Sequence, residues 1–296
     1  MALIPDAGLG PDGTIPLDFG PRQFTAGFGP DLKPVVKDSE GKALKTLPAP
    51  RKADDAAKAA AAKQRWSATK KTVREVAGDQ MKRMREAMLS GRKWNPSSWR
   101  TLATHPLMGG LMRSLLWGDY DADGALIGTF RIDETGALAD ASDEAYTLAG
   151  SPGLPHPTEL APAALKGWSA LFSDYEVVQP IDQLGRALRH LESDGAAMLA
   201  KLKGAVLPTG RLVGLRGRGW TRGVAEDAGL VHETWKSMRR GGGHYSLSFD
   251  PGMDIGMAVQ DMTFQEQTLT GEPESLDDLH PADLSELLLD LETLFR

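Results

Sequence analysis

The apolar residues of this chain change their period partway along, and that change limits what it can fold into. From about Asp54 to Ser90, Trp66, Val73, Val76, Met84 and Met88 recur at the spacing of one helix face. Lys63, Lys70, Lys71, Arg74, Lys82 and Arg85 lie mostly off that face. The spacing predicts a long basic helix. Asp54 or Asp55 suits the dipole at its start, Gly78 offers a break or bend, and Gly91 a stop. At "ALIGTFRI" the period drops to two, with Leu126, Gly128 and Phe130 opposed to Ile127, Thr129 and Arg131. A chain that uses both periods in separate stretches belongs to the α+β class, with helices packed on small, mostly antiparallel sheets.

Other elements follow from local signals. Residues 1–50 hold short strand-like pieces and a turn at Asp38–Lys42. Pro96 marks a short helix starting near Asn95 or Ser97. His105–Trp117 reads as a buried helix with Leu107, Leu111, Leu115 and Leu116 on one face. A small antiparallel sheet is expected from about Leu116 to Leu148, helices at 162–172, 183–191 and 194–203, and strands at 244–249 and 254–264. "HPADLSELLLDLETLF" closes the chain as an amphipathic helix. We expect an N-terminal segment over 1–104 and an α+β body over 105–296, or one continuous domain.

The run Asp119–Gly124, "DYDADG", has the look of a calcium loop. A twelve-residue loop starting at Asp119 needs a bidentate Glu at position 130, which is Phe. Asp followed by Gly is also what hairpin turns use, so a plain turn is expected. With no cysteine, disulfides, thiolate metal sites and a cysteine nucleophile are excluded. The start, "MALIPDAGLGPDG", lacks the pattern of a signal peptide, and no apolar stretch is long enough to span a membrane. We read the chain as soluble and cytoplasmic.

The net charge of −6 hides strong patterning. Residues 51–100 hold 14 Lys/Arg against 5 Asp/Glu, and residues 251–296 hold 11 Asp/Glu against one Arg. These are two solvated faces that can oppose each other in the fold, or the basic half is an anion-binding surface. Specific nucleic-acid binding is not expected.

The phosphate-loop, dinucleotide, zinc-protease and serine-hydrolase motifs are missing. His105, His156 and His280 each precede proline, which marks entries to helices or turns, and no metal site is expected. "GGGH" at 241–244 reads as a loop between strands. Arg216, Arg218 and Arg222 surround Trp220 and suit either an anion or the acidic C-terminal segment. "DYEVVQPIDQLGR" sets Tyr175, Gln179, Gln183 and Arg186 in a short span, with a helix expected after Pro180. A buried Tyr, two amides and an Arg need partners. We expect His105, Arg113, Tyr175, Gln179, Gln183, Arg186 and Trp220 to converge on one polar cleft. Arg113 or Arg186 then grips an anion, or the set forms an internal network.

Six stretches carry a resemblance: "LDFGPRQF" (17–24), "GKALKTLPAP" (41–50), "HPLMGGLMRSLLWG" (105–118), "WSALFSDYEVVQPIDQLGR" (168–186), "GLRGRGWTRG" (214–223) and "SELL" (285–288). Together they resemble the bacterial family named domain of unknown function 4132, which includes molybdate-metabolism-regulator-like (MolR-like) proteins. One departure is Ile181, where the family pattern implies Phe. The resemblance implies a bacterial cytoplasmic protein matching the C-terminal module of longer members, which often carry helical repeats or a small Trp-Gly-Arg domain. It brings no activity, catalytic residue or cofactor. Two classes of function stay open: a regulatory or interaction module that binds a protein, and an enzyme or ligand-gated domain for an anionic small molecule or peptide.

Overall fold

The computed structural model describes residues 4–226, 229–254, 261–272 and 274–296. Its fold is α+β, with helices and three small antiparallel sheets. The chain forms two compact units. One comprises the chain up to Met88 with Arg92–Pro155 and Leu160–Gly185; the other comprises Leu89–Gly91, His156–Glu159 and Arg186–Arg296. The division expected at 104/105 falls inside the first unit.

The first unit opens with an antiparallel meander of β1 (Thr14–Asp18), β2 (Gln23–Phe28), β3 (Pro34–Asp38) and β4 (Ala43–Leu44). Period-two alternation buries Ile15, Leu17, Phe24, Ala26 and Val36 on one face. Helix α1 (Ala56–Ser90) follows, capped by Asp55, whose Oδ1 accepts from the amides of Ala57 and Lys58 at 2.9 and 3.0 Å. Trp66, Val73, Met84 and Met88 are buried along it and Val76 half-buried. Gly78 does not interrupt the helix; Gly91, at φ +65°, ends it.

Asn95 caps α2 (Pro96–Ala103) by accepting from the Ser97 amide. The helix expected over His105–Trp117 is a correction: only α3 (Gly109–Arg113) is helical. Gly109 and Gly110 are poor helix formers, and Trp117 already belongs to a strand. Leu107, Leu111, Leu115 and Leu116 are nonetheless buried. A second sheet, in the order β7-β6-β5-β8, is made of β5 (Trp117–Tyr120), β6 (Leu126–Ile132), β7 (Leu138–Ala139) and β8 (Ser151–Gly153).

One turn geometry recurs through these sheets. In Asp38–Lys42, Asp121–Ala125, Asp133–Ala137 and Asp140–Glu144 the first amide bonds the fifth carbonyl at 2.9–3.1 Å. In each, the first Asp carboxylate accepts from the amides two and four residues on. The fourth residue has positive φ: Gly41, Gly124 and Gly136, but Asp143 at φ +60° in the last. The "DADG" of the calcium question is one of this set. Asp119 lies outside the turn, buried on β5, with its oxygens taking the amides of Ala149 and Gly150 and the Tyr146 hydroxyl. Burial, and then the Asp119 charge, push the Tyr146 phenol up to about 12.

Helix α4 (Pro162–Asp174) ends in a Schellman motif: the Val177 amide bonds Phe172 O at 2.8 Å and the Glu176 amide bonds Ser173 O at 3.0 Å. Glu176 takes the left-handed position at φ +52°, where glycine is usual.

The second unit contains α5 (Ala196–Leu202), β9 (Val206–Pro208), α6 (Thr209–Leu215), β10 (Thr221–Arg222), β11 (Leu230–Ser237), β12 (His244–Asp254), β13 (Asp261–Thr270) and α7 (Pro281–Glu292). Its sheet runs β10-β11-β12-β13-β9. Of the strand expected at 254–264, residues 255–260 lie outside the described residues. The core joins Trp220, Val231, Tyr245, Leu247, Phe249 and Phe264 to Leu287 and Leu291 of α7 and to Leu294 in the short turn after it. The helix expected at 183–191 is a second correction. Residues 181–190 are irregular, and a single π turn at Leu191–Gly195 precedes α5. Gly185 weakens a helix there, and the side chains of Gln183 and Arg186 are drawn to separate partners, given below.

Two positions are mismatched to their backbone. A methyl at Gly78 meets nothing within 4 Å in a helix interior, and Glu176 bears a side chain in a left-handed cap. Gly78→Ala and Glu176→Gly should each stabilise the protein by about 0.5–1 kcal/mol. A lower melting temperature in either variant would count against the local geometry.

Candidate functional site

The strand register of the first sheet sets up a groove. Thr14 pairs with Gly27 and Gly27 with Val35; Thr25 pairs with Lys37. By strand alternation these residues share the face opposite Ile15, Leu17, Phe24, Ala26 and Val36, and Gly27 on that face is itself covered. Gly27 leaves a dip there, since a Cβ on it would stand 2.8 Å from Gly13 O. Gly13, at φ +78°, ends the turn that begins at Gly10, and a Cβ on it would stand 2.8 Å from Pro106 O. No side chain therefore fits where this turn passes both the sheet and the 106–113 segment. The space that remains is a groove of about 290 Å³ lined by Asp12, Lys37, Leu107, Gly110 and Arg113 among others.

Arg113, at the end of α3, is exposed and folds back over Gly109, where a methyl would sit 3.4 Å from its Nη1. Among the described residues neither Arg113 nor Lys37 has a hydrogen-bond or ion-pair partner. Asp12 is tied: its Oδ1 accepts from the Thr14 amide at 3.0 Å and its Oδ2 from the Thr14 hydroxyl at 2.7 Å. Those bonds, the hydroxyl first, hold its carboxyl below the ordinary value. The groove thus presents two unpaired cations and one fixed carboxylate.

The other expected site residues each have their own partner. His105 bonds Ile4 O through Nε2 at 3.1 Å and accepts from the Leu107 amide at Nδ1. Tyr175 is 50% exposed. Its hydroxyl donates to Asp143 at 2.8 Å and its ring carries the Arg131 guanidinium at 4.6 Å. Gln179 donates to Gln183 Oε1 at 3.1 Å and accepts from the Leu184 amide. Buried Gln183 pairs with both the amide and the carbonyl of Leu116, each at 3.0 Å, and donates to Pro155 O. Its side-chain amide thereby acts as a piece of backbone.

In the second unit, Arg186 and Trp220 meet helix α7. Arg186 holds Glu286 by two bonds of 2.5 Å, and His156 Nε2 lies 3.3 Å from the same carboxylate. Trp220 Nε1 donates to Asp290 at 3.0 Å, beside Lys236 Nζ at 2.5 Å and Arg218 at 3.3 Å. Asp283 accepts from the amides of Arg239, Arg240 and Gly241. Burial alone pushes the Glu286 carboxyl up, but the bonds from His156 and Arg186 and the guanidinium charge outweigh it and hold it at about 2. A carboxylate so weakly basic, with both oxygens occupied, is unsuited to take a proton near neutral pH.

The sequence reading did not single out Lys37 or Asp12 of the groove, nor the buried acids of α7. The acids had a visible signal: Asp283, Glu286 and Asp290 stand three and seven residues apart, on one helix face. The groove had none, because its residues come from three separate stretches.

Removing one partner of a buried charge pair is expected to be costly. Arg186→Ala should lower stability by about 3–5 kcal/mol. A melting temperature within about 2 °C of wild type would contradict this. Because the Glu286 value is depressed on folding, its contribution is complete above pH 4.5 and is lost as pH falls toward 2. Glu286→Gln should therefore flatten the acid limb of stability in that window, as read by urea unfolding at several pH values.

Comparison with known proteins assigns this chain to a family and goes no further. The family model described as domain of unknown function (DUF4132) matches residues 41–220. That span holds Arg113, Arg186 and Trp220 but not Asp12, Lys37 or α7. The chain is 33% identical over 233 residues to the uncharacterized protein YehI of Escherichia coli (strain K12), a match that covers 76% of this chain and 19% of YehI. The chain therefore spans about a fifth of that relative's length. No solved structure matches it significantly. Among the described residues, no helix is long and apolar enough to cross a membrane. With more than half of its length matched by the family model, the chain belongs to the DUF4132 family.

Proposed function

We propose that this chain is a cytoplasmic regulatory or protein-interaction module of the MolR-like kind, and that it holds an anionic segment of a partner protein in the groove of Arg113 and Lys37. One observation carries the reading: two cations without partners among the described residues line the same concave surface. The other expected site residues support it by contrast, because each is engaged within its own unit. Guanidinium and ammonium groups left in a groove attract anions from solution. The second reading, an enzyme or ligand-gated domain for an anionic small molecule or peptide, draws on the same groove. Its volume of about 290 Å³ is near the lower end of ligand pockets. The basic residues of α1 are not part of the proposal, and no specific nucleic acid or membrane partner is invoked.

The test uses a Glu-containing peptide and the double variant Lys37→Ala/Arg113→Ala. The double variant should bind at least about tenfold more weakly while keeping its stability within about 0.5 kcal/mol of wild type, as expected for surface substitutions. Unchanged affinity in the double variant would overturn the reading. So would duplex DNA binding at sub-micromolar Kd in about 0.15 M salt, where screening already weakens phosphate contacts.

A further inference from the structure

We infer that the groove selects a peptide carboxylate, with an amide N–H beside it, over a phosphate. This inference rests on the anion-binding reading of the same groove.

Arg113 and Lys37 alone do not discriminate, since a guanidinium fork and an ammonium each bind carboxylate and phosphate. The discriminating group is Asp12. It lines the same groove, and its two bonds to Thr14 at 3.0 and 2.7 Å keep the carboxylate from turning away. Two cations against one fixed anion leave a single net positive charge. A carboxylate ligand carries one negative charge and brings the groove to neutrality. A phosphate monoester carries about −1.5 to −2 at pH 7 and overshoots it. The excess falls beside Asp12, where like charges repel.

Asp12 also keeps acceptor capacity, which a ligand with an adjacent N–H satisfies and a fully ionised phosphate monoester, which carries no donor, does not. The walls favour a main chain as well. Gly13, Gly27, Gly29 and Gly110 line the groove, and residues without Cβ let another backbone come close. At Gly110 a Cβ would have only Phe28 O, at 4.0 Å, as a neighbour. That side of the groove is open, and a side chain placed there projects into it.

The experiment follows the amides of Gly13, Gly27 and Gly110 by NMR in the full chain labelled with 15N-glycine. Three probes are titrated at constant ionic strength and about pH 8, where a phosphate monoester is the dianion: N-acetyl-Gly-Glu-Gly-amide, N-acetyl-Gly-Gly-Gly with a free carboxyl terminus, and methyl phosphate, called phosphate below. At least one peptide should saturate at a concentration about tenfold or more below phosphate. Comparing the two peptides tells a side-chain carboxylate from a terminal one. Asp12→Asn keeps a side chain able to accept from Thr14, and should bring phosphate to within about twofold of the better peptide. Gly110→Leu should abolish the shifts of all three probes without lowering the melting temperature. Phosphate binding as tightly as the peptides in wild type, or a preference unchanged in Asp12→Asn, overturns this inference and leaves the anion groove standing. No shift with any probe overturns the groove itself.

Discussion

The buried pair between Glu286 and Arg186 is what the second unit is arranged around. Its two 2.5 Å bonds lie where both side chains are nearly inaccessible to solvent. Taking two charges out of water costs several kcal/mol per ion, and their attraction does little more than offset that. Such a pair therefore adds little net stability, yet losing one partner is expensive. What it does supply is register. The apolar side of α7 is made of leucines, and Leu284, Leu287, Leu288 and Leu291 would fill a hydrophobic slot almost as well one turn along. The acids would not. Asp283 caps the 239–241 amides, Glu286 meets Arg186 and His156, and Asp290 meets Trp220 and Lys236. A shift by one turn would leave each acid buried opposite the wrong group.

The same physics lets irregular backbone be buried in this protein. Buried amides and carbonyls outside helices and sheets need partners. Gln183 supplies them to Leu116, Asp119 to Ala149 and Gly150, and Asp283 to the loop ahead of β12. In each case one polar side chain substitutes for a missing strand. Gln183, which looks like part of a binding set in the sequence, is occupied in the fold for this reason: it carries a connection that regular structure does not.

What the sequence revealed follows from how local each signal was. The stripe of α1 and the alternation of β6 are written in neighbouring residues, and both elements form where expected. The repeated turns are legible for the same reason, because Asp and Gly sit in a fixed frame of five residues. The stretch 183–191 misled because its helical pattern is local while its determinants are not. Gln183 answers to Leu116, and Arg186 to Glu286, both far away in the chain. At Asp143 the turn pattern breaks in an instructive way. An Asp takes the glycine position at φ +60°, and its carboxylate meets Arg131 and the Tyr175 hydroxyl. Asp tolerates the left-handed region better than most residues, so the exchange of Gly for Asp gives up little and gains a charged contact. The groove was illegible because no periodicity links the 10–14 turn, β3 and α3.

An unpaired surface cation is ordinary, because water solvates it at little cost. Two in one groove are a different matter. Their mutual repulsion is modest where solvent screens it, and it grows as the surrounding walls displace water. Asp12 relieves part of it, but one carboxylate cannot neutralise two cations. The folded first unit therefore holds a small electrostatic imbalance, which an anion bound as proposed would remove. A ligand that binds the folded state and not the unfolded chain stabilises the fold in proportion to the logarithm of its concentration over its Kd. The groove's charge and the unit's stability are thus two readings of one equilibrium. Under the proposed reading, how much negative charge the groove tolerates beside Asp12 would decide which anion it takes.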